Sequence, residues 1–148
     1  MSTEQAASLQ QIHDAIPHRA PMLLVDEIVD WQEDSIVCRK TFRADEFFVQ
    51  GHYPDHPIVP GVILTECGAQ TGAILLSKKV SGDDGVPVLT KLENVRFKKM
   101  VSPGQEVEMH VRLDDQLSNA YYMTAQIKCE GKTAARFSFV CSLAPAKS

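Results

Sequence analysis

The stretch Val62-Ile63-Leu64-Thr65-Glu66-Cys67-Gly68-Ala69-Gln70-Thr71-Gly72-Ala73-Ile74-Leu75-Leu76-Ser77-Lys78 decides the fold. Alanine, leucine and isoleucine run through it, and Lys78 and Lys79 at its C-terminal end suit the negative pole of a helix dipole. Its apolar residues point in every direction, so a helix here has no solvated face and must be surrounded by other elements. Gly68 and Gly72 are expected to let a neighbouring backbone approach closely. The apolar run Val62 to Leu76 is interrupted by Thr65, Glu66, Gln70 and Thr71 and is short for a bilayer crossing, so a buried helix is expected and no membrane span.

Downstream the pattern changes to strands, over Val86 to Met100, Glu106 to Leu117, Ala120 to Cys129 and Thr133 to Leu143. Pro103-Gly104, Ser118-Asn119 and Glu130-Gly131 mark the turns. The last strand alternates, Ala135, Phe137, Phe139, Cys141 and Leu143 against Arg136, Ser138 and Ser142, which is the period of a sheet covered on one face. Upstream, Ser8 to Ala15 predicts a short amphipathic helix stopped by Pro17, and Pro17 to Pro21 an extended connector. Met22 to Val29 and Ser35 to Phe42 read as strands, and Asp45 as the cap of a turn holding Phe47 and Phe48. Gly51 to Gly61 carries three prolines and is a loop. One buried helix followed by hairpin-connected strands implies an α+β domain, an antiparallel sheet wrapped around a central helix, over residues 1–148.

A chain of 148 residues with 44% hydrophobic and 23% charged residues is ordinary for one globular domain. Its net charge of -4 argues against general binding to nucleic acid, which needs a positive face. Met1 to Leu9 shows no signal peptide, and Cys38, Cys67, Cys129 and Cys141 form no CxxC pair. Reduced thiols in a cytoplasmic protein are expected.

The chemistry concentrates in Gly51-His52-Tyr53-Pro54-Asp55-His56-Pro57-Ile58-Val59-Pro60-Gly61-Val62-Ile63-Leu64-Thr65-Glu66. It sets a histidine on a proline-braced loop, then a helix N-terminus, then a carboxyl group in the second helical turn. Histidine titrates near neutrality and serves as base or acid. A glutamate among apolar residues has its charged form disfavoured, so Glu66 is expected to hold a proton it can donate. Backbone N–H groups after Pro60-Gly61 are unpaired donors at the positive helix end, suited to polarise a thioester oxygen. Ordinary readings stand beside these. A lone loop histidine is more often structural than catalytic. Glu66 has no Lys or Arg at 62, 63, 69 or 70, so a structural role needs a partner from elsewhere in the fold or another subunit. His52 and His56 sit four apart, but Pro54 and Pro57 exclude the helix that would aim both at a metal, so no metal site is expected.

In this order the residues resemble the 3-hydroxyacyl-acyl-carrier-protein dehydratases of type II fatty acid synthesis, which have the hot-dog fold. The likeness runs through Ile16-Pro17-His18-Arg19, Leu23-Leu24-Val25-Asp26, Phe47-Phe48, Gly51-His52-Tyr53-Pro54, Pro60-Gly61-Val62, Glu66, Ala69-Gln70, Asn94-Val95-Arg96-Phe97 and Val101-Ser102-Pro103-Gly104. The resemblance implies that His52 and Glu66 are the catalytic pair, contributed by different subunits of a homodimer that can assemble as a trimer of dimers. It implies the thioester-binding amide at Gly61 and an acyl carrier protein as partner, and the acid–base elimination it implies requires no cofactor. Glutamate rather than aspartate favours the branch that only dehydrates. Val62, Ile63, Phe47 and Phe48 are candidates for an acyl tunnel and equally for ordinary core. Arg96, Lys98 and Lys99, with Lys91 and Arg43, are candidates for a carrier-protein patch or a solvated strand face. Two positions depart from the family. Gly68 replaces a larger side chain and is expected to alter the tunnel's width, and Glu27 stands where a basic residue is common.

Two further readings compete. In a hot-dog thioesterase, Glu66 would activate water against the thioester carbonyl, although hydrolysis has less need of a histidine placed to work at C2. A non-catalytic acyl-binding protein would be expected to lose the His52 and Glu66 pair.

Overall fold

The computed structural model describes residues 2–145; residue 1 and residues 146–148 of the expected domain lie outside the described residues. In chain order the elements are helix α1 (Thr3–Ala15), strands β1 (Glu27–Trp31) and β2 (Ser35–Thr41), helix α2 (Gly61–Leu76), a 3-10 turn (Gly82–Asp84), and strands β3 (Val86–Phe97), β4 (Glu106–Leu117), β5 (Ala120–Cys129) and β6 (Lys132–Ala144). The strands form one sheet in the order β1-β2-β4-β5-β6-β3, with every pairing antiparallel. Helix α2 packs across the sheet and touches β2 through β6, while α1 lies against β1.

Alternation along the strands explains the core. Val107, Met109 and Val111 of β4, Met123, Ala125 and Ile127 of β5, and Ala135, Phe137 and Phe139 of β6 all face α2 and are buried. From Gln70 to Leu76 every α2 residue is buried, as a helix without a solvated face requires. Its first turn departs from that expectation, with Val62 69% exposed. The glycines also meet something other than backbone. A Cβ on Gly68 would lie 2.5 Å from Phe137 Cζ, and one on Gly72 2.7 Å from Phe139 Cζ, so each glycine seats an aromatic ring.

Several local features differ from the sequence reading. Helix α1 begins at Thr3 because Ser2 caps it reciprocally: Ser2 Oγ accepts from Gln5 N at 3.1 Å and Ser2 N donates to Gln5 Oε1 at 2.9 Å. The strand expected over Met22 to Val29 is confined to β1. Met22 and Leu24 are bonded instead by the side-chain amide of Gln70, which takes the place of a ladder partner. The strand expected to reach Met100 ends at Phe97, where Lys98 N and Lys99 N both turn to Ala134 O. Asp45 does not cap the turn before Phe47; Glu46 does, accepting from Arg43 N at 2.9 Å, while Asp45 pairs with the Arg43 side chain.

Candidate active site

His52 stands on a loop shaped by two left-handed residues, Gly51 at φ 82° and Tyr53 at φ 49°. Glycine adopts that conformation freely, whereas tyrosine does so at some cost, an energy the surrounding loop must offset. The His52 ring packs edge-on against Tyr53 at 4.6 Å between centroids, and its Nδ1 lies 3.1 Å from Ile58 O. That carbonyl is an acceptor only, so Nδ1 carries the hydrogen and Nε2 of the neutral ring presents a lone pair. The loop is tied to the β3–β4 connection by Val59 N donating to Val101 O at 2.7 Å.

Glu66 lies one turn into α2, one-third exposed rather than enclosed in apolar residues. Its Oε2 accepts from Gln70 Nε2 at 2.8 Å and lies 3.9 Å from His18 Nε2. Among the described residues no hydrogen bond or ion pair joins His52 to Glu66, so the two predicted partners are not brought together within one chain. The structure brings His18 and Gln70 to Glu66 instead. The sequence reading tested positions 62, 63, 69 and 70 for Lys or Arg alone, and the i,i+4 spacing to the amide of Gln70 was the usable signal. His18 stood in the run Ile16-Pro17-His18-Arg19, but nothing there linked it to Glu66, 48 positions away in sequence.

His18 is held by its neighbours. Arg19 donates from Nη1 to Ile16 O at 2.9 Å and His18 O at 2.7 Å, and from Nη2 to His13 O at 3.0 Å, locking the connector onto the carbonyl end of α1. His18 Nδ1 is buried without a partner among the described residues. His18 also borders a cavity of about 470 Å³ between the α1 end, α2 and β3, whose walls include Ile16, Pro17, Ala73, Val80, Val86 and Val88. Phe47 and Phe48 lie elsewhere. Phe48 is a core residue stacked edge-on against Phe42 and Phe47, and Phe47 borders a separate cleft of about 310 Å³. Gly68, expected to set the tunnel's width, faces Phe137 and Ala125 in the core and does not line the 470 Å³ cavity. Glu27 is satisfied by Arg39 at 3.5 Å.

No side chain caps the N-terminus of α2. Pro60 is its N-cap and supplies no side-chain bond, and no acidic residue stands in the first turn. Of the first N–H groups, Ile63 N is used by Pro60 O at 2.9 Å; helix geometry leaves those of Gly61 and Val62 without intrahelical partners. Gly61 is required by a close approach, because a Cβ there would stand 2.9 Å from Phe97 Cε1. Flanking Phe97, Arg96 and Lys98 are exposed and share a groove of about 390 Å³ with Arg112 and Arg136. Lys99 is separate from them, its Nζ 3.5 Å from Glu130 Oε2. No group of three His, Cys, Asp or Glu side chains arranged to hold a metal occurs among the described residues, and no described helix is long and apolar enough to cross a membrane.

Known proteins agree on the class this geometry defines. A solved structure of the dehydratase heterocomplex ApeI:P from Xenorhabdus doucetiae superposes with a TM-score of 0.77 at 19% identity, covering 90% of each chain. The Escherichia coli PaaI protein of the phenylacetic acid degradation operon superposes at 0.68 and 15% identity, covering 96% of this chain and 99% of that one. These establish the hot-dog fold. The FabA-like domain model matches residues 16–138. A 3-hydroxyacyl-acyl-carrier-protein dehydratase FabZ of Lactococcus lactis is 34% identical over 90% of this chain and 93% of its own length; another from Polynucleobacter asymbioticus is 33% identical over 97% of each. The chain belongs to the FabA-like family, within its FabZ-type dehydratase enzymes.

Proposed function

We propose that the protein converts (3R)-3-hydroxyacyl thioesters on acyl carrier protein to trans-2-enoyl thioesters in cytoplasmic fatty acid biosynthesis. The observation that carries this reading is the position of His18, which both borders the 470 Å³ cavity and stands 3.9 Å from the Glu66 carboxylate. His18 thus links the Glu66 carboxylate to a largely apolar space able to receive an acyl chain. His52 Nε2 takes the proton from C2. The electron pair left behind forms the C2–C3 double bond as the hydroxyl departs with the proton of Glu66, giving water. The uncapped N–H groups at Gly61 and Val62 hold the negative charge that develops on the thioester oxygen. The atoms balance without an oxidant or reductant, and the elimination uses only an acid, a base and an electrophile.

Since one chain does not join His52 to Glu66, the pair is completed across a dimer. Strand β3 supports that assembly: it is a sheet edge whose Val86, Val88, Leu89 and Leu92 are exposed, and a second β3 would pair with it. Arg96 and Lys98, which share a groove with Arg112 and Arg136, suit an acidic carrier protein, and four buried, unpaired cysteines suit a reducing compartment. The test follows enoyl formation and free thiol together on a 3-hydroxyacyl carrier protein. Enoyl product without thiol is expected, reduced by about a hundredfold or more in His52→Ala and in Glu66→Gln. Thiol without enoyl product would make the protein a thioesterase, and no turnover on several chain lengths an acyl-binding protein.

A further inference from the structure

We infer that Gln70 is a positioning residue that decides which oxygen of Glu66 carries the transferable proton. The amide has no freedom to reverse. Its Oε1 accepts from Leu24 N and its Nε2 donates to Met22 O, each at 2.8 Å, and a backbone donor and a backbone acceptor admit only that orientation. The side chain is 1% exposed, so water does not compete for these bonds. The remaining N–H therefore points at Glu66 Oε2, 2.8 Å away, and that oxygen must accept in every protonation state. A proton on Glu66 is then favoured on Oε1, because a carbonyl oxygen accepts the Gln70 bond more strongly than a hydroxyl oxygen, and Oε1 has no hydrogen-bond partner among the described residues. Gln70 thus holds the carboxyl group by one oxygen and leaves the other, proton-bearing one for the departing hydroxyl.

This inference rests on Glu66 being the acid of the proposed dehydration, and a double-mutant cycle separates the two claims. Gln70→Leu removes the donor, and Gln70→Glu keeps the acceptor for Leu24 N while exchanging the donor for a carboxyl group. Each is expected to lower kcat by about tenfold or more with KM changed less than about twofold, as a misdirected acid requires. In a Glu66→Ala background the same changes are expected to alter the residual rate less than about twofold, because Gln70 acts only through Glu66. An equal loss in both backgrounds, or no loss in either, overturns the role of Gln70 and leaves the dehydratase reading intact. Full activity of Glu66→Ala itself overturns that reading first. In the Gln70-intact protein, the Gln70 side-chain amide resonances are expected to move on Glu66→Ala. Unmoved resonances count against the bond whether or not the Gln70 variants fold.

Discussion

Lys40 is a charged side chain at 2% exposure, and its stability depends on Glu46, itself 7% exposed, whose Oε1 lies 2.8 Å from Lys40 Nζ. The other Glu46 oxygen holds Arg43 N, so the pair fixes the start of the segment leading to Phe47, Phe48 and His52. Removing one partner strands a buried charge. Lys40→Met is therefore expected to lower stability by about 3–5 kcal/mol in urea unfolding, and Lys40→Met with Glu46→Leu to recover most of the loss. The thiols behave in the opposite way, being buried as neutral groups. Burial pushes Cys38 up to about 12, against a hydrogen bond with Thr71 that lowers it, and pushes Cys141 up to about 12 as well. A raised thiol keeps its proton in the fold after the unfolded chain has released it. Stability is thus intact below the ordinary thiol value of 9.0 and declines as pH rises from there toward about 12. Denaturation midpoints across that range should show the decline, less steep in Cys38→Ala. His52 and Glu66 stood out as candidates in the sequence because their chemistry is concentrated in one contiguous block. The Gln70 bonds were not, since they join backbone groups 46 and 48 positions away.

Among the elements, the fit of α2 onto the sheet depends on rings seated over glycines. Gly68→Ala gains roughly 1 kcal/mol of helix propensity but places a methyl group 2.5 Å from the buried ring of Phe137. Overpacking of that kind costs about 1–3 kcal/mol, so a net loss is expected and a lowered Tm should record it. Phe137→Leu in the same chain should restore part of it by vacating the contact. The central helix and the four C-terminal strands were legible because their periods run unbroken over many residues. The segment from Met22 to Asp26 was not. Leu23, Leu24 and Val25 are apolar enough for a strand, yet Leu24 and Val25 are buried while the backbone bonds of Leu24 N and Met22 O go to a side chain on another element. Local pattern carries no sign of such a partner.

For the molecule as a whole, the proposed dimer is tested at the exposed apolar edge of β3. Leu89→Asp and Leu92→Asp are expected to shift the protein from dimer to monomer in light scattering and to abolish activity together with the dimer, because the charges disfavour edge pairing. Activity retained in a monomer would place a complete site in one chain. Complementation tests the shared site most directly: His52→Ala and Glu66→Gln proteins, each nearly inactive, are unfolded together, refolded as an equal mixture and assayed for enoyl formation. Half of the dimers then carry one intact His52 and Glu66 pair, and about a quarter of the wild-type rate should return. A mixture no more active than its two components would contradict a catalytic pair completed across the dimer.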